Sequence, residues 1–340
     1  MSKHVSSGLF ARPLSSAELT FEWRQLERDM NSTLPARAAA KALGFHATRY
    51  DNCPPARHRL VAPGLPAPTA EEWLRLLASQ RVLFLGDSLL RDLWVYLCAV
   101  LAPHYVFTHP KNSQHEEYMG TPPPGTPDIL MTFENNVQLH FCWYNRQGCL
   151  WDKADLTVVH FGSWEDPRRM PLMPAGFPTT NVDADNSSSL HPWLANVLTQ
   201  LMKRPEKTIW MEYPAPHFPW GTGEYEDILQ LERSAVLNQR RAPGCGPRAA
   251  GNVSYVTSQR REVLQIFERG GVPILRTWDL TWDRFENHPS RAKYARQSTV
   301  LIEGRPFWTL DCRHQCVPSE VMSGWSRRLF GMFTTTSHQV

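Results

Sequence analysis

The sharpest hydrophobic pattern in the chain begins at Thr69. Trp73, Leu74, Leu76 and Leu77 recur at helical spacing, and Thr69 and Glu72 stand just ahead of them as a capping-box pair. A short helix is expected there. "RVLFLG" (Arg81 to Gly86) follows as an unbroken apolar run of strand length, the mark of a strand covered on both faces. Leu89 to Leu101 then reads as a buried helix. The same rhythm repeats downstream. Val137 to Tyr144, Leu156 to Gly162, Thr208 to Pro214 and Val272 to Trp278 read as strands. Leu190 to Met202, with Pro192 in its first turn, reads as a helix, as do Ser254 to Gly271, closed by two glycines, and Ser319 to Met332.

Strands alternating with helices predict an α/β fold: a three-layer α/β/α sandwich around a mainly parallel central sheet. In such sheets ligands gather beyond the carboxyl ends of the strands. Residues 1–45 read as an appended segment, disordered or partly helical over Ala17 to Ala40, ahead of one domain over 46–335 and a tail over 336–340.

Composition narrows the function classes. The 340 residues, 42% of them hydrophobic, can fill a large core. A net charge of +3 gives no argument for nucleic acid or an anionic membrane surface. No run approaches the length of a transmembrane helix, and the first residues show no apolar core of a signal peptide, which leaves a cytoplasmic placement open. The 28 prolines concentrate in long loops such as "GTPPPGTPD" (Gly120 to Asp128), and most of the 13 tryptophans are expected in the core. Seven cysteines leave at least one unpaired if the others form disulfides; Cys98, on the helix after Ser88, reads as a plain core thiol. No CxxC or HExxH pattern occurs, which weighs against a metal site, and no metal or nucleotide cofactor is expected. Sequons at Asn31, Asn186 and Asn252 lean slightly toward a secretory lumen.

The candidate chemistry starts at Gly86-Asp87-Ser88, where the buried strand hands over to a helix. Asp87 or Ser88 can simply cap that helix. Alternatively, the turn lifts the Ser88 hydroxyl out of the sheet as a nucleophile, with its own N–H facing a site suited to anions. A serine nucleophile needs a base, and the base needs an orienting acid. "LDCRHQC" supplies Asp311 and His314 in one turn. His288 with Asp283 is a second, lower-ranked pair, and His217 lies just past a strand end where it can line a pocket. Oxyanion donors are expected from the Ser88 and Gly162 N–H groups, with Ser163 or His160 as side-chain helpers.

Taken together, Gly86-Asp87-Ser88 with Arg91, Gly162-Ser163-Trp164, "EYPAPHFPWGTGEY" and "DCRHQCVPSEVMSGWSRRL" occur in an order that resembles a known group. It is the PC-esterase group of SGNH/GDSL-type proteins, and most of all the trichome-birefringence-like polysaccharide O-acetyltransferases. The similarity spans roughly residues 50–335, and its most specific part is Asp311, Cys312, His314, Cys316, Pro318 and Trp325. The resemblance implies an SGNH-like fold, Ser88 as nucleophile, His314 as base and Asp311 as its orienting acid; Arg91, Trp164 and His217 are the expected substrate-binding residues. The resemblance also implies disulfides at Cys312 and Cys316, a Golgi-lumenal or extracellular setting, and an acyl donor and a glycan hydroxyl as partners. Two positions depart from the group: His160 stands where an Asn is usual, and Gln315 where a Trp is usual. The expected activity is O-acetyl transfer through an acyl-serine. The alternatives are hydrolysis of the same esters, a carbohydrate-binding relative without turnover, and a metal-dependent hydrolase.

Overall fold

In the computed structural model, the described residues are 10–13, 58–61, 68–109, 129–143, 153–160, 199, 201–217, 245–246, 263–282, 288, 300–302, 305–307, 312–316 and 319–337. The elements run β1 (Phe10–Pro13), β2 (His58–Val61), α1 (Ala70–Leu76), β3 (Arg81–Gly86), α2 (Ser88–Val100), β4 (Tyr105–His109), β5 (Ile129–Phe133), β6 (Val137–Trp143), β7 (Leu156–His160), β8 (Thr208–Met211), β9 (Ile274–Leu275), α3 (Trp278–Thr281), β10 (Val300–Ile302), β11 (Arg305–Phe307) and α4 (Glu320–Ser337). Seven strands form one sheet in the order β4-β5-β6-β3-β7-β8-β9. Strands β6, β3, β7, β8 and β9 are parallel, while β5 runs antiparallel to both β4 and β6. The protein is therefore an α/β fold with a mixed, mostly parallel sheet.

The strand order fixes where a ligand can sit. After β3 the chain lays down β4, β5 and β6 on one side, with β6 against β3, then returns to add β7, β8 and β9 on the other. The direction of winding reverses at β3, and the carboxyl end of the strand at such a reversal is where ligands of open α/β sheets gather. β3 is central and carries no residue open to solvent after Arg81, which is why its sequence is a continuous apolar run rather than an alternating one.

One face of the sheet holds the main core. Val82, Phe84, Phe141, Val158 and Ile209 point to that side and pack with Trp94 of α2 and Trp325 of α4. Trp73 of α1 meets Phe330 of α4 edge-on at 4.9 Å between ring centres, closing the same layer. Helix α2 is buried almost all round, which matches its scarcity of polar positions. On the other face, Trp210 stacks on Phe267 of the helical residues 263–269 at 4.4 Å. That helix ends where Gly271 takes φ +73°, a left-handed turn that glycine enters without strain.

Several expected elements differ in the structure. The antiparallel strands β4 and β5 are additions to the expected parallel sheet. A hairpin signal for β5 and β6 was present: Asn135 and Asn136 both take positive φ (55° and 54°) in the tight turn between two apolar runs. Strand β9 is only two residues long, because the chain turns into α3 at Trp278. Helix α4 continues to Ser337, past the expected end at Met332 and into the supposed tail. Residues 10–13 of the supposed N-terminal extension are extended and pair antiparallel with β2. The expected helix over Ala17 to Ala40 lies outside the described residues, as does most of that over Leu190 to Met202.

Candidate active site

The capping reading of Gly86-Asp87-Ser88 holds, and it falls to Asp87 rather than Ser88. Asp87 is the N-cap of α2, its Oδ1 accepting the Leu89 N–H at 2.9 Å, and its carboxylate suits the positive end of the helix dipole. Ser88 is the first residue of the helix proper, so its N–H has no acceptor within the helix. Its hydroxyl lies 2.6 Å from Nε2 of His314, 226 residues further along the chain. The cap belongs to Asp87, and the serine side chain is left for the imidazole.

Gly86 is required for this handover. Strands β3 and β7 approach so closely here that a Cβ on Gly86 would lie 2.2 Å from the His160 carbonyl oxygen. The same carbonyl accepts the Asp87 N–H at 3.2 Å, which carries the parallel pairing to the last residue before the helix. Any larger residue would push β3 off β7 and move Ser88.

His160 closes the site from below. Its Nδ1 donates to the Met211 carbonyl at 3.0 Å, and its ring stacks with Tyr213. Nε2 lies 3.7 Å from Asp87 Oδ1, beyond hydrogen-bond range. The ring is wholly buried under the Gly86-Asp87 turn, so its observed contacts are with the turn and with β8 rather than with an open crevice.

The other half of the site has no regular secondary structure. His314 lies in the segment 312–316, and cross-links from three directions hold that segment. Cys312 is bonded to Cys245, and the Cys312 carbonyl accepts the His217 N–H at 2.9 Å. The His314 carbonyl accepts from Nδ1 of His288 at 2.7 Å. Cys316 is disulfide-bonded as well, as is Cys142 on β6. Cys98 is the free thiol among the described residues, and burial pushes its pKa well above the usual range.

The segment carrying His217 is itself anchored. Glu212 Oε2 accepts the N–H groups of Thr277 and Trp278 at 3.0 and 3.1 Å, and Thr281 Oγ1 accepts the Ala215 N–H at 2.8 Å. Arg328 of α4 grips Asp279 through two hydrogen bonds of 2.7 Å, which seats α3 on α4. Strand ends that are separate in sequence thus form one frame around His314.

The sequence-derived residues fall into three groups. Ser88 and His314 come together. His217, expected at a pocket wall, is instead wholly buried with both ring nitrogens engaged, and His288, weighed as a second base, braces the His314 backbone. Arg91 is almost fully buried one turn into α2, where its guanidinium donates to Asp92 at 3.2 Å. Asp311, Gly162, Ser163, Trp164 and Asp283 lie outside the described residues. Among the described residues, no helix is long and apolar enough to cross a membrane. The sequence matches no protein-family model.

Proposed function

We propose that this chain is an acyl-ester enzyme that works through an acyl-serine and passes an O-acetyl group to a glycan hydroxyl. One observation carries the reading: the 2.6 Å contact between Ser88 Oγ and His314 Nε2 at the carboxyl end of the central strand. A serine hydroxyl is a weak nucleophile until a positioned base takes its proton, and this contact is the geometry that such a transfer needs.

In the first half-reaction His314 Nε2 removes the Ser88 proton as Oγ attacks the carbonyl carbon of an acyl donor. The tetrahedral oxyanion is stabilised by the Ser88 N–H with the Gly162 N–H and the Ser163 side chain; His160, wholly buried with its Nδ1 hydrogen given to the Met211 carbonyl, is not a donor to it. Each such donor is worth roughly 3 kcal/mol of barrier. The imidazolium then gives its proton to the departing group, leaving acetyl-Ser88. In the second half-reaction His314 deprotonates an acceptor hydroxyl, which attacks the acyl carbon and releases Ser88 with its proton restored. Asp311, three residues before His314, is the orienting acid that the resemblance supplies. Arg91 and Trp164 are the expected substrate-binding residues. The same resemblance extends the α/β fold to the three-layer SGNH type and the chain to the PC-esterase group. The disulfides favour an oxidising compartment such as the secretory lumen.

The test is mass spectrometry of the intact protein after exposure to an activated acetyl ester. A gain of one acetyl on the Ser88 peptide, absent in Ser88→Ala, is expected. Added oligosaccharide acceptors should discharge it faster than water does. Discharge by water alone would make the protein an esterase, and an unmodified Ser88 would end the acyl-serine reading.

A further inference from the structure

The two histidines behind His314 make contacts that two neutral rings cannot all satisfy as hydrogen bonds. His217 and His288 are both wholly buried, and their four ring nitrogens have four defined partners. His217 Nε2 faces the Trp282 carbonyl at 2.8 Å, and His288 Nδ1 faces the His314 carbonyl at 2.7 Å. A carbonyl oxygen only accepts, so each of those nitrogens carries a hydrogen. The remaining two, His217 Nδ1 and His288 Nε2, face one another at 2.7 Å. Two bare lone pairs would repel at that distance, so one of the two carries a hydrogen as well. Satisfying all three contacts takes three protons over two imidazoles, a net charge of +1.

We propose that His217 and His288 form a buried imidazole–imidazolium dyad that positions His314 for the reaction of Ser88. The proposal rests on the acyl-enzyme reading given above. The dyad spans two otherwise separate segments, from the Trp282 carbonyl after α3 to the His314 carbonyl. The His217 main chain adds a second tie to the same loop through Cys312. The shared proton is what makes this strut continuous. With it, each ring is fixed in plane by hydrogen bonds at both nitrogens, and the His314 carbonyl has one orientation. Without it, the rings must separate, and the backbone that aims the base loses its support.

The pair reaches the His314 backbone carbonyl rather than its ring, so it acts through the position of His314 rather than on the reacting atoms. The ionisable side chains of the adjoining described segments are Glu212, Tyr213, Arg276, Asp279, Arg313 and His314. Glu212 is engaged with Arg276 and with the Thr277 and Trp278 N–H groups, and Asp279 with Arg328. The Trp282 and His314 carbonyls, accepting from the outer ring nitrogens, favour the charged form of the pair.

Two measurements test this. Long-range ¹H–¹⁵N spectra of the wild-type protein labelled at histidine nitrogen should show Nε2 of His217 and Nδ1 of His288 protonated, with one further proton shared between the facing nitrogens at neutral pH. Two protons in total, with both facing nitrogens bare, would overturn the dyad. Turnover of p-nitrophenyl acetate supplies the second readout. His288→Ala should lower kcat by about 100-fold, the scale expected for a misplacement near 1 Å, with KM little changed. His288→Asn keeps an amide N–H near the position of Nδ1 and should recover most of that loss. His288→Gln places its amide at the other nitrogen and should not. Equal activity in the Asn and Gln variants would overturn the positioning role. If Ser88→Ala retains activity, the acyl-serine reading fails and the positioning role falls with it. The proton count, read without turnover, stands or falls separately.

Discussion

The two sides of the candidate site are built by different means. Ser88 is delivered by regular structure: a central buried strand, a turn with a glycine, an N-cap and a long buried helix, all contiguous in sequence. His314 is delivered by an irregular segment with no ladder of its own, held by a disulfide and by two histidines that come from 97 and 26 residues earlier in the chain. The first side derives its order from backbone hydrogen bonds and apolar burial. The second derives it from a few specific side-chain cross-links. Loops can carry reactive groups with precision only when something outside them removes their freedom.

That contrast can be broken at several points. Ser88→Ala and His314→Ala should each lower ester turnover by at least about 1,000-fold, and the double variant should lose no more than either alone, because groups that act as a unit do not add. Additive losses would mean that the two side chains act separately despite their contact.

Next in size is the cross-link on the loop side. Joining residues 67 apart, the Cys245–Cys312 bond should contribute about 4 kcal/mol through its restriction of the unfolded chain. Cys245→Ala with Cys312→Ala should therefore lower stability to chemical denaturant by about that amount. It should also depress turnover more than a stability loss of equal size on the strand side. A fall in stability with turnover intact in the folded fraction would show that the loop does not depend on the bond for its geometry.

On the strand side, Gly86→Ala should cost about 3 kcal/mol or more, since the added methyl meets a backbone carbonyl that cannot rotate away. A denaturant midpoint close to that of the wild type would show that β3 and β7 can part without strain. Smaller again is the cap of α1. Thr69→Ala removes one half of a reciprocal capping box and should cost about 1 kcal/mol, with no change in turnover. Last, Cys98 should resist alkylation in the native protein and react only on unfolding, because burial holds its thiol protonated.

The legibility of the two sides differed in the same way. The local side could be read directly. "RVLFLG" has the length and composition of a doubly covered strand, and the structure places β3 over the same six residues. The capping box at Thr69 and Glu72 is present with both of its hydrogen bonds. The glycine before Asp87 and Ser88 was visible too, although its reason, the approach of the His160 carbonyl, belongs to a pairing that sequence does not display. The antiparallel strands β4 and β5 are not legible as a pair, because a long proline-rich stretch separates them in sequence. The Asn135-Asn136 turn was the available clue.

The roles of the histidines were the least readable. His217 and His288 looked like a pocket residue and a spare base, and they are partners of one another at 2.7 Å, 71 residues apart in sequence. Nothing in the spacing of two histidines says whether they meet, because side-chain hydrogen bonding across a fold depends on where separate strand ends converge. The sequence by itself determined the alternation of buried strands and helices, since apolar periodicity and caps are properties of neighbouring residues. Tertiary structure alone decided the sheet order, the meeting of Ser88 with His314, and the proton-sharing contact behind them. Each of these joins segments that only the burial of a common core brings to the same end of the sheet.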